Sequence, residues 1–305
     1  MHQLLSPKVM DAGDAVRRFV RPGAVVGLGG QNISRCPMAL VHEVIRRGIG
    51  NLTVVGCNLS LPLDLMVAAG LVARTEQGSG NLEKYGVLFC WRRAAERGEI
   101  TVGDYSHLAM ASRFLAASLG LPFLPTRSLL GTDLLGAART GGDDARLSSD
   151  PWDGTPVVLL RALAPDVSLI HAAAADADGN VVIDGVTSHE VDMVKASRTA
   201  IVSAEEVLPA GALAGEPERV TISSAFISAV VEQPFGAFPT SVYKRYDYYE
   251  PEITEYQRRA RAAEGVHEYL VERVYSADSF DGQLDRIDPA GTIRQQVTDA
   301  MRELL

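Results

Sequence analysis

The sequence predicts an α/β fold: an open, mostly parallel sheet covered by helices. Apolar runs of strand length alternate with amphipathic stretches from about residue 14 to residue 75, the β-α-β-α-β order that such sheets require. The later runs at 156–160 and 167–174 are dominated by apolar residues, as strands buried on both faces are. With 305 residues and 47% hydrophobic content, the chain can bury a large core.

Residues 14–20 read as the end of a helix, and Arg21-Pro22-Gly23 turns the chain into a strand over 24–28. A glycine loop, Gly29-Gly30-Gln31-Asn32, follows, and Cys36-Pro37 opens an amphipathic helix over 38–47 that Gly48 and Gly50 stop. Strand 52–55, helix 63–69 ended by Gly70, and strand 71–75 continue the alternation. Residues 106–119 have helical periodicity capped by Gly120, and 121–125 is an extended segment pinned by Pro122 and Pro125. Residues 137–153, rich in Gly, Asp and Ser, form a long loop. Asp176-Ala177-Asp178-Gly179-Asn180 is a hairpin connection into the apolar run 181–183. Strand and helix signals follow at 199–203, 220–223 and 226–231, and the stretch from Pro251 onward is polar and mostly helical. No composition shift marks a domain boundary, so the chain reads as one domain, 1–305, with a helical extension from about 251.

The net charge of −9, from 38 acidic and 29 basic residues, argues against a nucleic-acid partner, because a phosphate backbone is met by clustered Lys and Arg. The short basic cluster Arg258-Arg259 with Arg261 is interleaved with Glu255 and Glu264 and reads as a solvated helix face. No apolar run reaches the roughly 18 residues of a membrane span, and no secretory leader opens the chain. The expectation is a cytoplasmic protein without a membrane partner. Cys36, Cys57 and Cys90 are odd in number and lack C-x-x-C spacing, so they read as small buried apolar residues rather than disulfides or zinc ligands.

The strand-to-helix turn at Gly27-Leu28-Gly29-Gly30-Gln31-Asn32 is where α/β proteins present backbone N–H groups to ligands. Two phosphate fingerprints fail there: the dinucleotide pattern needs glycine where Asn32 stands, and no Lys-Ser or Lys-Thr pair follows for a P-loop. His42-Glu43, His189-Glu190 and His267-Glu268 lack a second histidine four residues after the first, so no zinc motif forms. Asp176 to Asn180 lacks the glycine and glutamate spacing of a calcium loop, and no metal site is expected. No G-x-S-x-G elbow occurs. Two polar clusters fall at expected strand ends or helix starts: Glu76-Gln77-Gly78-Ser79-Gly80-Asn81 and Asp104-Tyr105-Ser106-His107. Loop satisfaction and helix capping explain such clusters as readily as ligand binding does. Tyr246-Asp247-Tyr248-Tyr249-Glu250 fits an interface, a pocket rim or a buried aromatic cluster.

Taken in order, these segments resemble the α subunit of family I coenzyme A-transferases, of the glutaconate CoA-transferase type. The match runs through Gly27-Leu28-Gly29-Gly30 with Pro37-Met38-Ala39, Asn51-Leu52-Thr53-Val54-Val55, and Leu121-Pro122-Phe123-Leu124-Pro125-Thr126-Arg127-Ser128 with Gly131-Thr132-Asp133. It continues through Asp150-Pro151-Trp152, Ala164-Pro165-Asp166-Val167-Ser168-Leu169-Ile170-His171 with Asp178-Gly179-Asn180, and Val230-Val231-Glu232-Gln233-Pro234-Phe235-Gly236-Ala237 before Tyr246-Asp247-Tyr248. Coverage runs over about residues 10–260.

The resemblance implies the CoA-transferase/ribose-5-phosphate isomerase-like fold and a site between two related halves. It implies transfer of CoA from an acyl-CoA to a carboxylic acid through a glutamyl-CoA thioester. The nucleophilic glutamate belongs to the β half, in a Glu-Asn-Gly or similar context, and this chain has no Glu-Asn-Gly. The chain is therefore expected to supply no catalytic nucleophile and to work with a β subunit, as a heterodimer or an α2β2 assembly. Coenzyme A thioester is the expected substrate, with no permanently bound cofactor. Preorganised donors stabilise the oxyanion that forms when a carboxylate attacks a thioester. Gly29, Gly30, Gln31 and Asn32 are the candidates for those donors or for the acyl-pocket lining. Glu76, Gln77, Gly78 and Ser79 are candidate substrate contacts, with Ser106 beside the cleft and His107 as a possible auxiliary base.

Two alternatives follow. Relatives that hydrolyse a ring carbon–carbon bond in a cyclic CoA thioester, in steroid catabolism, carry a catalytic glutamate in the segment equivalent to 105–108, where this chain has His107. The other is a non-catalytic binding protein on the same fold.

Overall fold

The computed structural model describes residues 8–136 and 144–305. Elements are numbered over those residues. The first strands and helices are α1 (Ala12–Phe19), β1 (Val25–Leu28), α2 (Met38–Arg46), β2 (Leu52–Leu59), α3 (Leu61–Ala68) and β3 (Val72–Gly80). Then come α4 (Phe89–Glu96), β4 (Thr101–Asp104), α5 (His107–Ser118), β5 (Phe123–Thr126), β6 (Ala145–Ser149), β7 (Pro156–Arg161) and β8 (Val167–Ala172). A hairpin of β9 (Ala174–Asp176) and β10 (Val181–Val182) leads to α6 (Glu190–Ala196), β11 (Thr199–Ala204), β12 (Val207–Leu208) and β13 (Ala229–Glu232).

Seven strands form one sheet in the order β13-β11-β8-β1-β2-β3-β4, and every pairing in it is parallel. Both faces are covered, which alternation along the strands makes visible. Val26, Leu28, Leu52, Val54, Val167 and Leu169 pack against α1–α4 and the C-terminal helices. Val55, Cys57, Ile170, Ala172, Ala200 and Val202 pack against α5, α6 and the small sheet β5-β7-β6. Helix ends follow local chemistry. Asp11 caps α1 by accepting from Asp14 N–H at 2.7 Å, and Ser106 caps α5 by accepting from Ala109 N–H at 3.0 Å. Gly48, Gly70 and Gly120, each at φ between +60° and +72°, stand just after α2, α3 and α5 as left-handed terminators.

The helical extension consists of α7 (Glu250–Ala260), α8 (Ala263–Leu270), α9 (Phe280–Ile287) and α10 (Thr292–Leu304). It is tied to the sheet layer by buried polar contacts: Tyr256 O–H donates to Asp64 at 2.6 Å, and His42 Nδ1 meets Gln283 Oε1 at 2.7 Å. Among the described residues no helix is long and apolar enough to cross a membrane.

Three expectations are corrected. The strand predicted over 71–75 runs to Gly80, because Glu76, Gln77 and Ser79 pair with β2 and β4 instead of leaving the sheet. The loop predicted over 137–153 contains β6, which pairs antiparallel with β7; residues 137–143 lie outside the described residues. Residues 220–223 form only an isolated bridge, Ile222 against Val181. The predicted hairpin at 176–180 is present: β9 and β10 pair antiparallel, and the Asp176 carboxylate accepts from Asn180 N–H at 2.8 Å.

Candidate active site

The sheet order places β1 between β8 and β2. The chain builds outward from β1 in one direction through β2, β3 and β4, and in the other through β8, β11 and β13. The carboxyl end of β1 therefore lies at the topological switch point, where open α/β sheets leave a ligand crevice. The glycine loop emerges there.

The loop's glycines are required by packing. A Cβ on Gly29 would stand 2.7 Å from Glu190 Oε1 and 2.8 Å from Ile170 Cγ2, and one on Gly30, whose φ is +87°, would stand 2.9 Å from the Arg35 carbonyl oxygen. Three of the loop's four backbone donors, those of Gly29, Gly30 and Gln31, are engaged within the chain. Gly29 N–H donates to Leu169 C=O at 2.9 Å, Gln31 N–H to Ser34 C=O at 2.9 Å, and Gly30 N–H to Glu190 Oε1 at 2.8 Å. Donation from Gly29, Gly30 and Gln31 N–H to a substrate oxyanion is not available in this geometry, which narrows the expected backbone donors of this loop to Asn32. What fixes the loop is a buried ion pair that sequence reading passed over. Arg35 Nη2 pairs with Glu190 Oε2, with side chains 5% and 0% exposed, and Arg35 Nη1 donates to Val186 C=O at 3.0 Å. The pair joins residues 155 positions apart, and only the Gly-Gly turn facing an acidic helix start hinted at it.

A cavity of about 570 Å³ opens beside the loop, lined by Gln31, Asn32, Ile33, Ser34, Arg35, Glu83, Asp184, Gly185, Val186 and Tyr243. Its volume suits a small-molecule ligand. Gln31 and Asn32 thus belong to its wall; the Asn32 amide donates to Glu83, and Asn32 C=O accepts from Ser60 Oγ.

The second polar cluster behaves differently along its length. Glu76 is buried, its Oε1 accepting from Arg74 Nε at 2.8 Å and its Oε2 from Arg113 Nη1 at 2.7 Å, so this carboxylate is committed to the core. Gln77 is buried with Oε1 unpartnered. Gly78 is a glycine because His107 lies on it: a Cβ there would meet His107 Cδ2 at 2.6 Å. Ser79 Oγ donates to Asn58 Oδ1 at 3.1 Å. Ser106 caps α5 and shares a hydrogen bond with Ser128 Oγ at 2.5 Å, and His107, exposed, opens the helix.

The neighbouring groups are held neutral. His189, stacked on Phe114 with ring centroids 5.6 Å apart, sits with Nε2 3.4 Å from Cys57 N and 3.3 Å from Leu28 O, and burial pushes its pKa down. Burial pushes the Cys57 thiol up to about 12 and Cys36 up to about 11. All three cysteines are free and buried, as the sequence implied. A Ser203–His171–Glu205 chain, with contacts of 2.8 and 2.7 Å, has the order of a hydrolase triad. Ser203 and His171 are fully buried, and Glu205 also accepts from Tyr246 O–H at 2.8 Å and Phe235 N–H at 2.7 Å, so the chain anchors the 233–246 segment. Among the described residues no cluster of His, Cys, Asp and Glu is arranged to hold a metal ion.

The family model for coenzyme A transferase matches residues 9–233. The chain belongs to the coenzyme A transferase family. It is 30% identical to the α subunit of glutaconate CoA-transferase from Acidaminococcus fermentans over 96% of both chains. The crystal structure of that organism's glutaconate coenzyme A-transferase superposes with a TM-score of 0.89, at 30% identity and 94% coverage of each chain. An uncharacterised protein from Archaeoglobus fulgidus is 36% identical over 90% of this chain, which spans 61% of that relative's length. A cholesterol ring-cleaving hydrolase subunit from Rhodococcus jostii is 28% identical over 86% of this chain and 90% of its own. The seven-stranded sheet and its flanking helices are those of the glutaconate CoA-transferase structure, and the chain is a CoA-transferase subunit of the α type.

Proposed function

We propose that this chain is the α subunit of an acyl-CoA:carboxylate CoA-transferase whose nucleophilic glutamate is delivered by a separately encoded β subunit. The observation that carries the reading is the end-to-end match to the α subunit of glutaconate CoA-transferase, with 96% of each chain aligned. The geometry supports it. Glu76 in β3 and Glu190 at the start of α6 are both locked in buried ion pairs, and a carboxylate so paired is a poor nucleophile. The reaction would run by attack of the partner's carboxylate on the thioester carbonyl. Thiolate leaves, returns to the resulting anhydride to give a glutamyl-CoA thioester with release of the free acid, and is finally passed to the acceptor carboxylate.

The chain's own contribution is the acyl pocket. Gln31, Asn32 and Ser34 shape its wall, and the Arg35–Glu190 pair keeps the loop in place. Gly29, Gly30 and Gln31 N–H are engaged within the chain, so this loop's remaining candidate oxyanion donor is Asn32 N–H, with further donors supplied by the partner. Ser79, Ser106 and His107 lie on the β3–α5 side of the same carboxyl edge. The chain is read as one domain with a helical extension from α7 onward, in a cytoplasmic α2β2 assembly. The ring-opening hydrolase reading is favoured by its 28% identical relative, but His107 stands where that chemistry expects a glutamate.

Co-expression with the neighbouring β-type subunit tests the division of labour. The chain alone is expected to transfer no CoA, and the complex to transfer it. Transfer by the chain alone overturns the proposal.

A further inference from the structure

The charges of the glycine-loop cavity are unequal in effect. The charged side chains that line it are Glu83, Asp184 and Arg35. Arg35 is neutralised by Glu190 in a pair 5% and 0% exposed, so it brings the cavity no net positive charge. Its Nε–H is buried and has no partner among the described residues. Glu83 is exposed and holds only the Asn32 amide on one oxygen. Asp184 has Lys244 Nζ at 3.6 Å, a contact whose side chains are 30% and 53% exposed and which water therefore screens. Ile33, Val186 and Tyr243 supply apolar wall.

We propose that Glu83 and Asp184 are the specificity-determining residues of this site, excluding acyl groups that carry a second carboxylate. The inference rests on the cavity being the acyl pocket described under Proposed function. The acyl group admitted is uncharged beyond its thioester carbonyl. Its chain lies against Ile33, Val186 and Tyr243. A second carboxylate in a cavity of this volume is brought close to two carboxylates, and like charges juxtaposed at a partly desolvated site are strongly unfavourable. Specificity of this kind comes from the repulsive element as much as from the attractive one.

Valeryl-CoA and glutaryl-CoA test the proposal, since they share five acyl carbons and differ in a terminal methyl against a carboxylate. Both are offered to the α/β complex with acetate as acceptor, and the binding of each is measured by calorimetry. The expected result is a valeryl-CoA preference of roughly tenfold or more in kcat/KM and in affinity. The combined substitution Glu83→Gln and Asp184→Asn is expected to reduce that ratio by about tenfold. Lys244→Met keeps the preference for valeryl-CoA if the filter acts as proposed. Preference for glutaryl-CoA, or a ratio that the double substitution does not move, overturns the proposal. A glutaryl-CoA preference abolished by Lys244→Met identifies that lysine as a carboxylate anchor instead. A complex that transfers CoA from some other thioester yet binds neither of these overturns the cavity as the acyl pocket. A complex that binds valeryl-CoA selectively but transfers CoA from no thioester leaves the charge filter standing and removes the transferase reading.

Discussion

Glu190→Gln probes the ion pair beneath the glycine loop. In the native chain Glu190 Oε1 accepts from Gly30 N–H at 2.8 Å and Oε2 pairs with Arg35, with side chains 0% and 5% exposed, so solvent screening does little to weaken the contact. Glutamine keeps the volume and one acceptor oxygen for Gly30, but it sets an amide NH2 against the guanidinium. Arg35 is then a buried cation without a counter-ion, and breaking a buried pair from one side costs about 3–5 kcal/mol. Arg35→Met strands the carboxylate in the same way and costs a similar amount. Together the two substitutions leave no uncompensated charge, so their effects fall short of additivity by about 1–3 kcal/mol. Reversible denaturant unfolding of wild type, both single variants and the double variant measures each quantity, with constant m values required for the comparison. A Glu190→Gln loss below about 1 kcal/mol, or strict additivity with Arg35→Met, refutes the pair as the loop's anchor.

Two further outcomes follow from the buried titratable groups. Burial lowers the His42 pKa to about 3 from its ordinary 6.5, with the nearby Arg46 charge acting in the same direction. The unfolded chain therefore binds a proton below pH 6.5 that the folded chain refuses until about pH 3. Stability from this group is complete above pH 6.5 and is lost as pH falls toward 3, by up to about 5 kcal/mol. His42→Gln is expected to flatten urea midpoints between pH 4 and 7, and an unchanged slope contradicts the assignment. The thiols of Cys57 and Cys90, pushed up to about 12, and Cys36, pushed up to about 11, are protonated at neutral pH. A thiolate-selective reagent at pH 8 should thus label the native chain slowly and the denatured chain at all three positions. Rapid native labelling at Cys57 is inconsistent with the closed packing between β2 and α5.

The first third of the fold is legible because its signals are local. Arg21-Pro22-Gly23 precedes a fully apolar strand, Gly48 and Gly70 end helices in the left-handed conformation, and the parallel sheet follows from the alternation. β3 is read too short because the polar side chains of Glu76 and Ser79 are satisfied by Arg74, Arg113 and Asn58, partners that no period of two or 3.6 reveals. β6 is hidden by a Gly-, Asp- and Ser-rich composition and exists through its pairing with β7. At the site, the turn after β1 is found from glycine spacing alone. Its meaning is not, because Asp184 and Glu190 meet the turn and its Arg35 only through the crossover from β8 to β11. Gly29, which reads as a donor to a ligand, makes room for Glu190, and Gly30 makes room for the backbone of Arg35 and Cys36.

The central claim is that this chain shapes an acyl pocket while another chain supplies the nucleophile. Borohydride reduction of the α/β complex during turnover, followed by peptide mass spectrometry, tests it most directly, because a glutamyl-CoA thioester is reduced at the carbonyl of the residue that bears it. The account predicts one reduced glutamate, on the β subunit and dependent on acyl-CoA, with Glu76, Glu83 and Glu190 of this chain unmodified. Reduction at a glutamate of this chain, or turnover of a cyclic acyl-CoA with no reducible intermediate on either chain, contradicts it.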